Sequence, residues 1–219
     1  NSGTISTGTW YHIAYVKSST AGHILYLNGS VVASDSNFTG NMRNPAGYNS
    51  LWIGNAQNIQ YFNGSIDQVR VFNKALSLSE VTTLYGENNA SLFKSTTDIF
   101  GDGSGVALYE FEEGGKDTGG VTGYIGSGGV FNGSSSEIDL GNSAVFSSTN
   151  TGELSISLWI NTTDSDAGYI LAKGDDSQVK YEHNLYLNTN GTLRAQIYNS
   201  SAGLATTVTT TDTVNDGNW

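Results

Sequence analysis

Two carboxylic acids placed two positions apart are the residues of this sequence best suited to do chemistry. Glu137 and Asp139 alternate with Ile138 and Leu140, so a strand here would place both acids on one face. Retaining glycoside hydrolysis uses two carboxyl groups about 5 Å apart, one as nucleophile and one as acid/base. The same alternation is typical of an ordinary strand that buries its apolar residues and exposes its polar ones. We favour this structural interpretation and predict that the chain is not an enzyme.

Other catalytic and metal-binding signatures are missing from the sequence. The chain has no cysteine, which excludes thiolate catalysis, disulfides and cysteine-ligated zinc. Its three histidines show neither His-x-His nor His-x-x-x-His spacing for zinc. We expect His12 to pack within a strand, and His23 and His183 to lie at turns. No Gly-x-Ser-x-Gly or phosphate-binding Gly-x-x-x-x-Gly-Lys-Ser/Thr motif occurs.

Aromatic residues near polar loops suggest glycan recognition. Sugars stack on exposed aromatic rings, and neighbouring Asn, Asp and Gln side chains bond their hydroxyl groups. For a loop tyrosine the alternative role is packing within a turn. The tryptophans at positions 10, 52 and 159 lie inside strand patterns and are predicted core residues. The predicted ligand-binding residues are Tyr48, Tyr61, Tyr124, Tyr169 and Tyr181.

The charge balance excludes several classes of partner. Nine Lys and Arg against 20 Asp and Glu give the 219 residues a net charge of −11. Nucleic-acid binding needs a basic surface, and so does adsorption to anionic lipid. No run of about 18 apolar residues predicts membrane insertion. Because only 13% of residues are charged and Asn, Ser, Thr and Gly fill the polar positions, we expect an extracellular, cell-surface or virion location.

The pattern along the chain predicts strands almost throughout. Residues 10–16 are predicted to point alternately to the two faces of a strand, and Leu154, Ile156, Leu158 and Ile160 to form one face of another. Asn28-Gly29 and Asn190-Gly191 are hairpin-turn signals. Ser77 and Glu80 form a capping box before a short apolar helical pattern. The predicted fold class is therefore all-β, an antiparallel two-sheet jelly-roll sandwich with one short helix near residues 78–85.

The two ends of the sequence resemble each other. Residues 4–10 and 213–219 share Thr, Gly and Trp at identical offsets, with Ile5 opposite Val214. This match predicts a tandem repeat with a period of 209 residues, from Trp10 to Trp219. The partners expected from it are adjacent copies of the same repeat.

Several motifs resemble the laminin-G-like domains of the concanavalin A-like lectin/glucanase superfamily, in its pentraxin-like jelly-roll branch. The motifs of the second half of such a domain come first in this chain, and those of the first half follow. We therefore divide the chain into a C-terminal half at residues 1–86, a connector at 87–105 and an N-terminal half at 106–219, together one domain's worth. The motifs are GTWYHIAYV at 8–16, LWIG at 51–54, FNGSIDQVRVFNKALS at 62–77, ALYEFE at 107–112 and SLWI at 157–160.

The resemblance implies two antiparallel sheets and, in many members, a binding role for glycans or proteins. Related domains occur in bacterial surface proteins and as repeats in phage structural proteins. Glucanases of the superfamily carry Glu, then Asp two positions on, then a second Glu. In this chain the third member is Asn142, which can neither donate a proton at neutral pH nor accept one as a base. This departure makes hydrolysis the least favoured of the implied activities.

The resemblance also implies one structural calcium ion, which would be bound by Asp67 and Asp117. Calcium takes six to eight oxygen ligands from carboxylates, amides and carbonyls. The alternative is that Asp67 bonds a loop and Asp117 lies in a turn. Two weaker candidate clusters of acidic residues are Asp98 with Asp102, and Asp164, Asp166, Asp175 and Asp176.

Together these features predict a non-enzymatic structural and adhesion repeat of an extracellular or virion-surface protein, with glycans as possible ligands. The alternative is a dedicated carbohydrate-binding module, and a glycoside hydrolase comes third. Because an isolated half would expose unpaired strand edges, we expect each half to pair with a complement, within one chain or between chains.

Overall fold

The alternating segments of the sequence form strands in a computed structural model of the chain. The structure describes residues 8–38, 40, 49–56, 60–87, 94–112, 120–143, 146, 152–162, 166–175, 180–198 and 204–210. Within these residues there are fourteen strands and one helix.

The elements before the connector are one helix and five strands. They are β1 (Tyr11–Ser18), β2 (Gly22–Leu27), β3 (Ser30–Asp35), β4 (Asn49–Ile53), β5 (Asn63–Phe72) and α1 (Leu78–Gly86). The strands that follow are β6 (Gly105–Tyr109), β7 (Gly120–Thr122), β8 (Ser127–Asn132), β9 (Ile138–Asp139), β10 (Leu154–Asn161), β11 (Gly168–Asp175), β12 (Lys180–Leu187), β13 (Leu193–Tyr198) and β14 (Leu204–Thr209).

The strands form two antiparallel sheets. Sheet A has the order β3-β2-β1-β10-β5-β8-β7, with β6 also paired to β5, and sheet B has the order β14-β13-β12-β11-β4-β9. Both sheets contain strands from before and after the connector. In sheet A, β10 lies between β1 and β5, and in sheet B, β4 lies between β11 and β9. This arrangement confirms the predicted all-β sandwich.

The main core lies between the two sheets. Every second residue of each strand points inward, which is the geometry that a period of two requires. From sheet A, Ile13 and Leu158 are paired across β1 and β10, and both are buried in this core. Leu171 and Leu185 are paired in the same way in sheet B.

Helix α1 covers the outer face of sheet A. Its N-cap is Ser77, whose side chain accepts a hydrogen bond from the Glu80 N–H, while the Glu80 carboxylate accepts one from the Ser77 N–H. This reciprocal pair is the predicted capping box. Val81 and Leu84 pack with Ala14 and other buried residues of this face into a second cluster. Sheet A is therefore buried on both faces where the helix crosses it.

The turn between β2 and β3 is the predicted two-residue hairpin. Asn28 and Gly29 have φ angles of 49° and 75°, which match a type I′ turn and its right-handed twist. The Asn28 N–H also donates to the His12 carbonyl oxygen at 2.8 Å. This turn fixes the register of β2 against β3.

A row of polar residues lies inside one end of the sandwich. Lys17 and His23 are paired across β1 and β2, and Lys173 and His183 across β11 and β12. All four side chains are at most 2% exposed. The prediction that His23 and His183 lie at turns is wrong, because both are strand residues whose inward positions alternate with outward ones. His12 is also buried within its strand, as predicted.

Candidate functional site

A polar cleft beside Tyr61 is the best candidate for a binding site. It has a volume of about 470 Å³ and lies where β5 begins, β8 ends and the segment before β11 passes. The Tyr61 ring is half-buried, and Gln60 is exposed. Other polar groups that line the cleft belong to Asn63, Asn132 and Asp166. A tyrosine ring flanked by amides and a carboxylate is the chemistry that recognises sugar hydroxyls.

Backbone hydrogen bonds hold the segment that carries Gln60 and Tyr61. The Phe62 N–H donates to the Gly54 carbonyl oxygen at 2.9 Å, and the Tyr169 N–H donates to that of Gln60 at the same distance. Gly54 has a φ of 82°, and a Cβ atom there would lie 2.0 Å from Cδ1 of the buried Phe131. Only glycine therefore lets this segment pass so close to the core.

A second cleft has a volume of about 480 Å³ and carries the two acids that lie two positions apart in the sequence. Residues 135–139 line it, including Glu137 and Asp139. The Glu137 carboxylate accepts a hydrogen bond from Asn55 Nδ2. Burial raises the pKa of Tyr61, and the negative charge of Glu137 raises it further, so this acid also lies close to the first cleft. A Glu137 carboxylate that accepts a hydrogen bond from the Asn55 amide and lies near Tyr61 suits the binding of hydroxyl groups.

Two of the predicted tyrosine platforms are not exposed. Tyr169 and Tyr181 are 6% and 2% exposed, because they lie within β11 and β12 rather than in loops. Their ring centroids are 5.4 Å apart, and Tyr169 also packs edge-on against Tyr186 at 4.6 Å. The expectation that these two side chains are loop platforms is wrong. They support the Gln60–Tyr61 segment from the outer face of sheet B.

Tyr124 lies on the outer face of the other sheet. It is half-buried and stacks on Trp159, with ring centroids 3.6 Å apart and an interplanar angle of 14°. Trp10 packs edge-on against the Tyr124 ring, with the two ring centroids 6.1 Å apart. The structure thus separates Tyr124 from Tyr61. Trp52 and Trp159 are buried as predicted, Trp10 is half-buried, and Tyr48 lies outside the described residues.

Asp67 holds a hairpin against sheet A. Its side chain is fully buried, and its two oxygens accept backbone N–H groups from Gln68 at 2.7 Å and Ile125 at 3.0 Å. Burial raises the pKa of Asp67 to about 7, against the opposing effect of these hydrogen bonds, and the nearby charge of Glu112 contributes to the rise. The loop-bonding alternative given for Asp67 describes these contacts. Asp117 lies outside the described residues.

The weaker acidic clusters have local partners where they are described. The Asp98 carboxylate accepts the N–H groups of Asp102 and Gly103, and Asp102 pairs with Lys74. Asp164 and Asp176 lie outside the described residues. Among the residues that the structure does describe, no group of three or more His, Asp or Glu side chains is placed to hold a metal ion.

Calcium at Asp67 and Asp117 stays a prediction, with a direct thermal test. If both residues are ligands, calcium at a hundred times its dissociation constant adds about 2.7 kcal/mol to the free energy of unfolding. The Tm should then rise in millimolar calcium, and Asp117→Asn should abolish the rise. Magnesium at the same concentration is the control. A wild-type Tm that calcium leaves unchanged would contradict the prediction.

A buried histidine–serine pair lies beneath α1. His12 Nε2 is 2.7 Å from Ser157 Oγ, and both residues are at most 3% exposed. The adjoining cavity, lined by Gln68, Arg70 and four other residues, has a volume of about 10 Å³. Since this is about the space of one water molecule, no substrate can reach the pair. The hydrogen bond between Ser157 and His12 is an interaction within the packed interior.

Sequence reasoning missed most of the polar groups around Tyr61. Asn63 and Asn132 each begin an Asn-Gly-Ser triplet, which turn chemistry alone explains. The structure pairs these two residues across β5 and β8. The signal that could have found them is the repetition of the triplet at the ends of two strands that pair.

One of three comparisons with known proteins finds a match. Residues 1–82 match the family model described as the concanavalin A-like lectin/glucanases superfamily. The comparisons with curated proteins and with solved structures find no match. In the part of the chain that the structure describes, no helix has the length and apolar character needed to span a membrane.

Proposed function

We propose that this chain, whose residues 1–82 match the family model of the concanavalin A-like lectin/glucanases superfamily, is a non-enzymatic structural and adhesion repeat of an extracellular, cell-surface or virion protein that binds glycans. The observation that carries the proposal is the polar cleft of about 470 Å³ beside Tyr61. A dedicated carbohydrate-binding module is the alternative, and it would use the same cleft.

The chemistry of the cleft favours neutral sugars. Tyr61 offers a partly exposed ring, and the exposed amides of Gln60 and Asn63 carry both donors and acceptors. The Asn132 side chain is bonded within its own turn, where its Oδ1 accepts the N–H groups of residues 134, 135 and 136. The net charge of −11 repels sulfated or otherwise acidic polymers over the range of the Debye length. We therefore expect neutral polysaccharides as ligands.

Replacing Tyr61 should weaken glycan binding without unfolding the chain. Tyr61→Ala removes the ring that stacks on the sugar, a loss of about 1 kcal/mol or slightly more, which corresponds to about a five- to tenfold rise in Kd. The measurement is binding of the 219-residue chain to an array of neutral polysaccharides, followed by calorimetry on the best ligand.

Tyr124→Ala is the matched control, since it removes another half-buried tyrosine from the opposite sheet. It should leave glycan affinity unchanged. Wild-type protein that binds no glycan on the array would refute the binding role. Equal loss of affinity in both variants would assign the effect to the fold rather than to the cleft.

The non-enzymatic part of the proposal is supported by the surroundings of Glu137. This residue is bonded by the Asn55 amide, and the third position of the glucanase motif holds Asn142, which cannot serve as a second acid/base group. We expect no release of reducing sugar from β-glucans by the wild-type chain, measured over days at high protein concentration. Hydrolysis that Glu137→Gln abolishes would overturn the proposal and establish a glycoside hydrolase.

A further inference from the structure

The two segments on either side of the connector complete each other. In sheet A, β10 is bonded on one side to β1 and on the other to β5, both from the first segment. In sheet B, β4 of the first segment is bonded to β11 and β9 of the second. Without residues 11–86, the strands of residues 105–209 would therefore expose unpaired edges and the apolar surface that the first segment now covers.

The described chain begins and ends at the same end of the sandwich. Tyr11, at the start of β1, is paired with Ile160, near the end of β10. Eight residues after Ile160, β11 begins at Gly168, which is paired with Leu187. In turn, Leu187 is paired with Leu193, whose carbonyl oxygen accepts the N–H of Thr210 after the end of β14. The end of β14 is thus level with the beginning of β1.

The sequence that leads into β1 recurs after β14. Residues 213–219 repeat the Thr, Gly and Trp pattern of residues 4–10 at a spacing of 209. Since β1 starts one residue after Trp10, a chain that continued past Trp219 with another copy would start a second β1 at the same point. The nine residues 211–219 can span up to about 30 Å.

That reach is sufficient to return to the position of β1. Strand β14 contacts β2 and β3 on the facing edge of sheet A, and β1 is the strand next to β2. Strands in a sheet are about 4.8 Å apart and facing sheets about 10 Å, so the distance to be crossed is about half of the available length.

We propose that residues 105–209 of this chain accept residues 11–86 of a second copy, joined after Trp219, in place of the residues 11–86 that precede them. The partner is thus a second copy of the same chain. Its β4 and β5 would fill the groove between β10 and β11 on one side and β8 and β9 on the other, and its β1 would pair with the opposite edge of β10. The proposal rests on the repeat role given under Proposed function. In this arrangement each sandwich contains residues 105–209 of one repeat and residues 11–86 of the next, so neighbouring repeats share a fold rather than touch only at their surfaces.

Exchange replaces each contact with the same contact from another copy. The two arrangements differ only in the link between the segments, residues 87–104 in one case and residues 211–219 in the other. Loop-closure free energy changes by only about 0.6 kcal/mol for each doubling of length. The two arrangements are therefore close in free energy, and a substitution in one copy can decide between them.

A chain carrying two copies of the first segment tests this exchange. Residues 11–104, which include the connector contacts of Arg70, are repeated directly after Trp219, and Ile13→Ala is placed in the first copy only. Ile13 is fully buried and paired with Leu158 in β10, so the same substitution in the 219-residue chain should lower the urea midpoint clearly. In the extended chain the second copy should take over, with the midpoint restored to that of the unsubstituted extended chain.

Two controls complete the experiment. Ile13→Ala in both copies should remove the rescue, and limited proteolysis should cut the displaced first copy before the second when only the first is substituted. A singly substituted extended chain that is as weak as the substituted 219-residue chain would overturn the proposal. If the substituted chains do not fold, proteolysis of the unsubstituted extended chain decides, since full protection of the first copy would overturn it equally. Glycan binding by the 219-residue chain is unaffected by either result.

Discussion

Lowering the pH from 7 to 4.5 is expected to remove about 5 kcal/mol from the free energy of unfolding. A loss of this size is comparable to the whole stability of many single domains. We therefore expect the chain to unfold cooperatively between pH 4 and pH 5. The cause is a set of three buried histidines that stay neutral in the folded state.

Burial lowers the pKa of all three imidazoles. His12 and His183 have a pKa of about 3, and His23 of about 4. The charge of Lys173 lowers the pKa of His183 further, and that of Lys17 has the same effect on His23, where Asp35 opposes it. Among the residues that the structure describes, neither ring nitrogen of His183 has a hydrogen-bond partner. A proton added to this ring would thus lie near the Lys173 cation, with no hydrogen-bond acceptor among the described residues to stabilise the added charge.

The direction of the effect follows from proton linkage. In the unfolded chain each histidine titrates near pH 6.5, whereas the folded chain takes up these protons only near pH 3 to 4. Between these values the unfolded state binds more protons, so its free energy falls relative to the folded state as the pH decreases. Each histidine costs about 1.4 kcal/mol per pH unit below pH 6.5.

Asp67 acts in the opposite direction. Its folded pKa of about 7 lies above the unfolded value of about 3.9, so the folded state binds its proton first as the pH falls. Acidification from pH 7 therefore stabilises the fold through Asp67 and offsets about one of the three histidines. The net slope is about 2.7 kcal/mol per pH unit between pH 6.5 and pH 4.

Urea unfolding at several pH values, followed by circular dichroism, measures this slope. His183→Leu is the matched variant, since its side chain is apolar and similar in size. It should flatten the dependence by about 1.4 kcal/mol per pH unit, and Asp67→Asn should steepen it by the same amount. A free energy of unfolding that is constant from pH 7 to pH 5 would contradict the prediction.

The strands were predictable because local chemistry and the fold agree along most of the chain. The alternation at residues 10–16 and 154–160 became β1 and β10, and the Asn28-Gly29 pair became the expected hairpin turn. The helix began at its capping box. In these places the residue period, the turn residues and the cap all favour one structure, so long-range contacts only confirm it.

The environment of the site could not be predicted in the same way, because it depends on which strands pair. Tyr169 and Tyr181 occur near polar residues in the sequence, but β-bulges between β11 and β12 place them on a buried outer face. His23 follows a glycine and His183 a glutamate, and the inward positions of both depend on register. A shift of one residue would have put each on the opposite face.

Removal of the Arg70 side chain is expected to cost about 3 to 5 kcal/mol, the usual result of breaking a buried ion pair. Arg70 is 1% exposed and reaches from β5 into the connector. Its Nη2 atom lies 3.3 Å from Glu87 Oε2, and its guanidinium donates to the carbonyl oxygens of Lys94 at 2.6 Å and Thr96 at 2.5 Å. Arg70→Leu would leave a buried carboxylate and two carbonyl groups without these donors.

The connector should lose protection against amide hydrogen exchange before the sheets do. Amide hydrogen exchange of residues 94–97 should accelerate at least tenfold in Arg70→Leu, because the guanidinium holds the carbonyl groups of Lys94 and Thr96 against β5. Arg70→Lys should recover little, since an ammonium cannot reproduce the fork of donors. Adding Glu87→Gln to Arg70→Leu should recover part of the lost stability, because it removes the unpaired charge.

Lys74→Ala provides the matched control for the effect of burial. Lys74 also joins β5 to this region, through Glu80 and Asp102, but its ion pairs are partly exposed to solvent. Exposed pairs contribute about 1 kcal/mol or less, so this variant should keep nearly the wild-type urea midpoint. Equal midpoints for Lys74→Ala and Arg70→Leu would mean that the buried guanidinium is not what fixes the connector. A large difference would show that the buried guanidinium, rather than the partly exposed ion pairs of Lys74, is the main charge that holds the connector to β5.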